Sequence, residues 1–159
     1  MNSIELAKHW TEFLAARKEF PRSEALLEHF NAGTITRICD CGCNSYDLKV
    51  RKESGVKPLL AARQSGGGCA LSMAFYLANR SGALEFDVFI DADGYLGGVD
   101  VSCNGNSEPV PEAPEFVEPP FHVYGALRTG PQPAKSGLSV SIMGVPRKLS
   151  FPVRTKIDA

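Results

Sequence analysis

The first thirty residues carry the hydrophobic spacing of amphipathic helices. Apolar side chains recur there at intervals of three and four residues and fall on one helical face: Leu6, Trp10, Phe13 and Leu14. Pro21 ends this helix, because proline lacks a backbone N–H and disfavours a helical conformation in the residue before it. A second, shorter helix is predicted to begin at Ser23 and to end at Gly33, two residue types that are common at those positions.

After Gly33 the apolar positions alternate, which is the pattern of strands with one buried face. Strands are predicted at residues 34–41, 46–51, 72–78, 83–90, 95–103, 121–127 and 138–145. The first two pair about a GCNS turn, and Asp93-Gly94, a strong hairpin signal, joins two strands of a three-stranded meander. The proline-rich segment 109–120 is expected to be extended and exposed. These elements predict an α+β fold with the N-terminal helices packed on one face of a mainly antiparallel β-sheet.

The length of 159 residues suits one domain with its own core and is too short for two. We expect a single α+β domain over residues 1–127 and a basic C-terminal extension over residues 128–159 that has room for one edge strand. Charged residues interrupt the region where a signal peptide needs an apolar run, and no run reaches the ~20 residues of a membrane span. A cytoplasmic location is therefore expected, with five cysteines that stay reduced.

Charge is distributed unevenly along the chain, although the net charge is only −1. Residues 81–127 contain nine acidic side chains and no lysine or arginine, whereas residues 128–159 contain six basic side chains and one aspartate. Such segregation is found both on surfaces that select a charged partner and on solvated surfaces that have no partner. An acidic surface favours a basic protein over a nucleic acid, and neither nucleic acid nor membrane is expected as a partner.

The predicted hairpin registers place several cysteines in the core. In the first hairpin Cys41 would lie opposite Tyr46, and Cys39 opposite Leu48, on an apolar face. In the second hairpin Cys103 would lie opposite Leu84 on the core side. Cysteine behaves as a small hydrophobe and is often buried, so core packing is the first interpretation of these thiols.

The alternative is a thiol-based metal site. The C-x-C-x-C pattern of Cys39, Cys41 and Cys43, with Cys103 as a fourth ligand, is suited to zinc or copper(I). Thiolates on one ion need sulfur atoms under ~4 Å apart, whereas alternate residues on a strand lie about 6.6 Å apart at Cα. The segment would therefore have to bend, and Gly42 permits a bend.

The predicted registers also define an acidic face on the side of the sheet away from the helices. We give this name to Glu85, Asp87, Phe89, Asp91 and Asp100. Asp87 would lie opposite Asp100, and in the first hairpin Asp40 opposite Asp47. Like charges that face each other across strands are destabilising. Either the predicted registers are off by a residue or two, or water and salt screen the charges, or a cationic partner relieves them, with Phe89 as an aromatic anchor.

Two hypotheses about function follow. The first is a non-enzymatic binding protein whose acidic face captures a basic protein, by analogy of size, class and charge with the immunity proteins that neutralise bacterial nuclease toxins. The second is a zinc or copper(I) protein that uses the C-x-C-x-C segment. An enzyme is disfavoured because no nucleophile has a matched base; the predicted helices place His9 and His29 at surface or boundary positions.

Overall fold

The computed structural model describes residues 3–20, 22–62 and 66–127. Its elements are α1 (Ser3–Ala15), α2 (Ser23–Ala32), β1 (Gly33–Ile38), β2 (Tyr46–Val50), β3 (Gly68–Tyr76), β4 (Ala83–Ile90), β5 (Leu96–Cys103) and β6 (His122–Tyr124), with a 3₁₀ turn at Lys52–Ser54. All neighbouring strands are antiparallel in one sheet of order β1-β2-β5-β4-β3-β6. The predicted α+β fold is confirmed. Over the described ranges, no helix is both long and apolar enough to cross a bilayer.

Residues 128–159 lie outside the described residues, and the predicted edge strand at 138–145 lies among them. The boundary between the α+β domain and the basic extension therefore stays a prediction. The proline-rich segment 109–120 contains no strand, as expected, and most of its side chains are exposed.

The core forms where an aromatic face of α1 packs on the sheet. Trp10 and Phe13 lie with their ring centroids 5.3 Å and 5.2 Å from that of Phe86 on β4, and Phe13 also contacts Phe75 at 5.6 Å. Such tilted and edge-on ring contacts add to the free energy gained by burying apolar area. The predicted helical face therefore covers the predicted sheet face, and α2 contacts β1, β2 and β5 beside it.

The β4–β5 hairpin has the predicted register over most of its length. Leu84 pairs with Cys103, Phe86 with Val101 and Val88 with Val99. These side chains are fully buried, and they alternate with Glu85 and Asp87 on the opposite side of β4. Near the turn a bulge after Phe89 pairs Ile90 with Leu96 rather than with the predicted Gly97.

The predicted register of the β1–β2 hairpin is wrong by three residues next to the loop and by four beyond an irregularity between Ile35 and Arg37. Ile38, not Cys41, pairs with Tyr46, and Ile35, not Cys39, pairs with Leu48. The observed register places Arg37 opposite Asp47, where the two side chains form an ion pair at 2.6 Å between Nε and Oδ2. Opposite charges across a strand pair are favourable, whereas the predicted pairing of Asp40 with Asp47 would have set two like charges together.

His29 is buried, which corrects the prediction of a surface or boundary position. Its side chain is inaccessible to solvent, and its two ring nitrogens join separate parts of the chain. Nδ1 accepts a hydrogen bond from the Leu96 N–H at 3.1 Å, and Nε2 lies 2.7 Å from the carbonyl oxygen of Lys57. A neutral imidazole with its proton on Nε2 satisfies both contacts. Burial is the main cause that lowers the pKa of His29 below 6.5.

The buried imidazole makes stability depend on pH. Because the pKa of His29 is lowered on folding from 6.5, the unfolded chain binds more protons, so this stabilisation is complete above 6.5 and is lost as the pH falls toward the folded-state pKa. His29→Ala is expected to lower the free energy of unfolding near neutral pH by roughly 1–3 kcal/mol, because the buried Leu96 N–H loses its acceptor. In this variant the free energy of unfolding should also fall less steeply as the pH is lowered below 6.5.

Urea denaturation at a series of pH values measures both effects. His9→Ala is the matched control, since His9 lies exposed on α1, and it should keep the pH dependence of the wild type. Equal pH profiles for the wild type and His29→Ala would contradict the role given to His29.

Candidate functional site

The connection between β1 and β2 contains three of the five cysteines. We call residues 39–45 the thiol loop. It is closed at its base by a hydrogen bond from the Cys39 N–H to the Ser45 carbonyl oxygen at 2.9 Å. Within it Gly42 and Asn44 have φ angles of +82° and +64°, in the left-handed region that these two residue types tolerate best. The backbone therefore turns on both sides of Cys43 instead of continuing as a strand.

These turns bring the three sulfur atoms together. The Sγ atoms of Cys39, Cys41 and Cys43 all lie within 4.8 Å of one another. Cys39 Sγ and Cys41 Sγ lie 2.8 Å apart. Cys41 is exposed, Cys39 is half-buried and Cys43 is buried. The prediction that Cys39 and Cys41 are core residues is wrong, because β1 ends before either of them.

Cys103, the predicted fourth ligand, is not part of this group. It is fully buried opposite Leu84, as the core interpretation predicted, and the Nη2 atom of Arg80 lies 3.7 Å from its sulfur. Burial raises the pKa of the Cys103 thiol. The remaining cysteine, Cys69, lies exposed on β3 outside the thiol loop.

Ser45 fixes the thiol loop on β5. Its hydroxyl oxygen accepts a hydrogen bond from the Val101 N–H at 2.9 Å and lies 3.1 Å from the sulfur of Cys43. Burial alone would raise the pKa of Cys43, but hydrogen bonds with Cys41 and Ser45 lower it below the ordinary value. Hydrogen bonds with Cys39 and Cys43 raise the pKa of Cys41 to about 11. Cys43 therefore ionises before Cys41.

A cavity of about 290 Å³ opens beside the thiol loop. Its wall includes the three thiols and three charged side chains: Arg37, Asp87 and Asp100. The thiols and part of the acidic face thus share one site, because β2 pairs with β5 and brings the first hairpin beside the second. Sequence reasoning treated them as separate features, and it missed Arg37 and Ser45.

The residues of the acidic face do not all have the predicted environment. Asp87 and Asp100 pair across β4 and β5 as predicted. Asp91 instead belongs to the turn, where its carboxylate accepts hydrogen bonds from the backbone N–H groups of Asp93 and Tyr95, each at 2.9 Å. Glu85 and Phe89 are half-buried, so Phe89 offers less surface for an anchor than its strand position suggested.

Exposed aromatic side chains lie on the side of the sheet that carries the acidic face. Tyr76, Phe121 and Tyr124 are 54%, 48% and 56% exposed, and the rings of Tyr76 and Phe121 stack with centroids 4.0 Å apart. Ser72 pairs with Asp87 on one side and with Tyr124 on the other, so that Tyr124 shares the face of Asp87. The alternation in the FHVY segment predicted a strand here. It did not predict that this strand pairs with β3, and therefore not that its aromatic side chains lie on the same face as Asp87.

Comparison of the chain with protein-family models, with curated proteins and with solved structures gave no match. Function is therefore inferred from the chemistry of the site itself.

The facing carboxylates of Asp87 and Asp100 are expected to cost stability. Burial, and then the charge of Asp87, raise the pKa of Asp100 above 3.8, so the folded state holds this proton more tightly than the unfolded state. Stability from this group is therefore highest at low pH and falls as the pH rises from 3.8 through the folded-state pKa. Asp100→Asn is expected to raise the free energy of unfolding at neutral pH by about 0.2–1 kcal/mol.

Denaturation of Asp100→Asn, Asp87→Asn and the double variant measures this repulsion. The double variant should gain less than the sum of the two single variants, because either substitution already removes the like-charge pair. A loss of stability in Asp100→Asn, or strict additivity, would contradict the repulsion.

Proposed function

We propose that the thiol loop binds a soft, thiophilic metal ion, zinc or copper(I), through the thiolates of Cys39, Cys41 and Cys43. The observation that carries the proposal is the convergence of their three sulfur atoms within 4.8 Å. Sulfur ligands on one zinc ion lie under ~4 Å apart, so shifts of about 1 Å in a loop that is exposed at residues 40–42 would complete the geometry. Thiolate donors select zinc and copper(I) among the common metal ions.

The surroundings of the loop favour a cationic ligand. Cys43, whose pKa is lowered, supplies a thiolate readily, and metal binding displaces the protons of the others. Three thiolates complete the coordination of copper(I), whereas zinc requires a fourth ligand. Cys103 is directed into the core, so the donors on hand for zinc are the Asp100 carboxylate on the same cavity wall and water. Arg37, on that wall, offsets part of the negative charge.

A competition titration tests the metal proposal. The full chain without a histidine tag should bind one equivalent of copper(I) or zinc against a chelator of known affinity. Replacement of Cys39, Cys41 or Cys43 by serine is expected to weaken metal binding by at least about 100-fold. Loss of a residue that only orients a metal ligand already lowers metal affinity by up to about 100-fold, and loss of the ligand itself should lower it at least as much.

Cys69→Ser is the matched control for that titration, because it removes an exposed thiol outside the loop. It should bind metal as the wild type does. The proposal fails if the variant with serine at all three loop cysteines keeps the wild-type affinity, or if Cys69→Ser loses as much as they do.

A second function is supported by the pairing of Asp87 with Asp100 beside exposed aromatic rings. We propose that this face also captures a basic protein, as an immunity-type inhibitor would. Facing carboxylates gain from a lysine or arginine placed between them, and tyrosine rings such as Tyr124 accept a cation over their faces. Both proposals include a cytoplasmic location, where the thiols stay reduced.

Charge reversal tests the second function, with a fluorescent lysine-rich peptide as the probe. The Asp87→Lys, Asp100→Lys double variant should slow association roughly tenfold at low salt and flatten its salt dependence. The matched control is Glu112→Lys, Glu115→Lys, an equal charge change at exposed positions between β5 and β6. If the two double variants slow association equally, the peptide responds only to the net charge of the protein, and the proposed binding face is contradicted.

A further inference from the structure

The thiols of Cys39 and Cys41 have a geometry that suits a different chemistry. Cys39 Sγ and Cys41 Sγ lie 2.8 Å apart, so the distance left to a disulfide bond of ~2.05 Å is only about 0.8 Å. Cys43 is instead engaged with Ser45, and Cys103 is enclosed in the core. Cys43 Sγ also lies within 4.8 Å of both sulfurs but is buried, so Cys39 and Cys41 are the thiols of this group that a reagent from solution can reach.

Accessibility gives the two thiols different roles. Cys41 is exposed, so a reagent from solution can reach its sulfur, whereas Cys39 is half-buried directly behind it. Thiol–disulfide exchange needs this arrangement, with one sulfur that meets the external disulfide and a second that attacks the mixed disulfide.

The loop backbone can adjust to both redox states. Asp40, Cys41 and Gly42 are exposed, and the space that a side chain at Gly42 would occupy has no atom within 4 Å. A disulfide between residues only two apart closes a small ring. Strained and exposed disulfides are the readily reduced ones, so the bond formed here is expected to be reversible.

We propose that Cys39 and Cys41 form a reversible dithiol–disulfide couple that reacts with low-molecular-weight disulfides. Cys41 gives up its thiol proton and its sulfur attacks one sulfur of RSSR, which forms a Cys41–S–S–R bond, breaks the S–S bond of RSSR and releases RS⁻. The Cys39 thiolate then attacks Cys41 Sγ, which forms the Cys39–Cys41 bond and releases the second RS⁻. The two thiol protons pass to the two RS⁻ ions, and the two electrons lost by the cysteine pair reduce RSSR to two RSH.

The couple also regulates the metal site, a consequence that rests on the proposed function. A disulfide between Cys39 and Cys41 removes two of the three thiolates, so that oxidation releases the ion and a bound ion protects the thiols from oxidation. The exchange chemistry itself requires no metal.

The test uses the reduced, full-length chain, freed of metal with a chelator and treated with glutathione disulfide. Mass spectrometry of the intact protein and of its peptides should show loss of two hydrogens and a bond between Cys39 and Cys41. Cys39→Ser should stop at the mixed disulfide and keep one glutathionyl group on Cys41. Cys69→Ser, which removes an exposed thiol outside the thiol loop, should form the disulfide as the wild type does.

Preorganisation is tested by the same reaction in urea. The internal disulfide should form at least about tenfold faster in the folded protein than in the unfolded chain, because the fold holds the two sulfurs together. A bond that maps to another cysteine, a stable glutathionyl adduct on Cys41 of the wild type, or equal rates in both states would overturn the inference. Copper(I) titration of the reduced protein separates the two proposals, since either chemistry can fail while the other is observed.

Discussion

The pairing of Ile38 with Tyr46 is the constraint on which the candidate site depends. Tyr46 is held from both sides: its strand pairs with β5, and its hydroxyl hydrogen-bonds that of Thr11 on α1 at 2.5 Å. The Arg37–Asp47 ion pair favours the same register one step further along the strands. With the strands fixed there, residues 39–45 must turn back within the loop, and the turns at Gly42 and Asn44 gather thiols that a continued strand would have separated.

The order of the strands then gives the site its second component. Since β2 lies beside β5, the thiol loop packs against Val101 through Ser45, next to the facing Asp87 and Asp100. Soft sulfur donors and hard carboxylates thus line one cavity. A cation held by the thiolates would change the field that a basic partner meets at the acidic face, so the two proposed functions are electrostatically linked.

Hydrophobic periodicity and turn residues predicted much of the fold. Of the candidate site, they predicted only the parts that depend on pairing between strands adjacent in sequence. The β4–β5 register followed from strict alternation and the Asp93-Gly94 turn, and it correctly placed Cys103 in the core and Asp87 opposite Asp100. The register predicted for the first hairpin was wrong because cysteine, as a small hydrophobe, continued the apolar alternation of β1. Nothing in that pattern marked the end of the strand at Ile38. Burial of His29 depends on partners from Lys57 and Leu96, which no helical pattern reveals.

X-ray absorption spectroscopy of the full chain loaded with copper(I) tests the gathering of the three thiols most directly. An ion held by the thiol loop predicts a first coordination shell of three sulfur atoms, which falls to two when Cys43 is replaced by serine. A shell dominated by nitrogen and oxygen, or one that the substitution leaves unchanged, would contradict a thiolate site built by this loop.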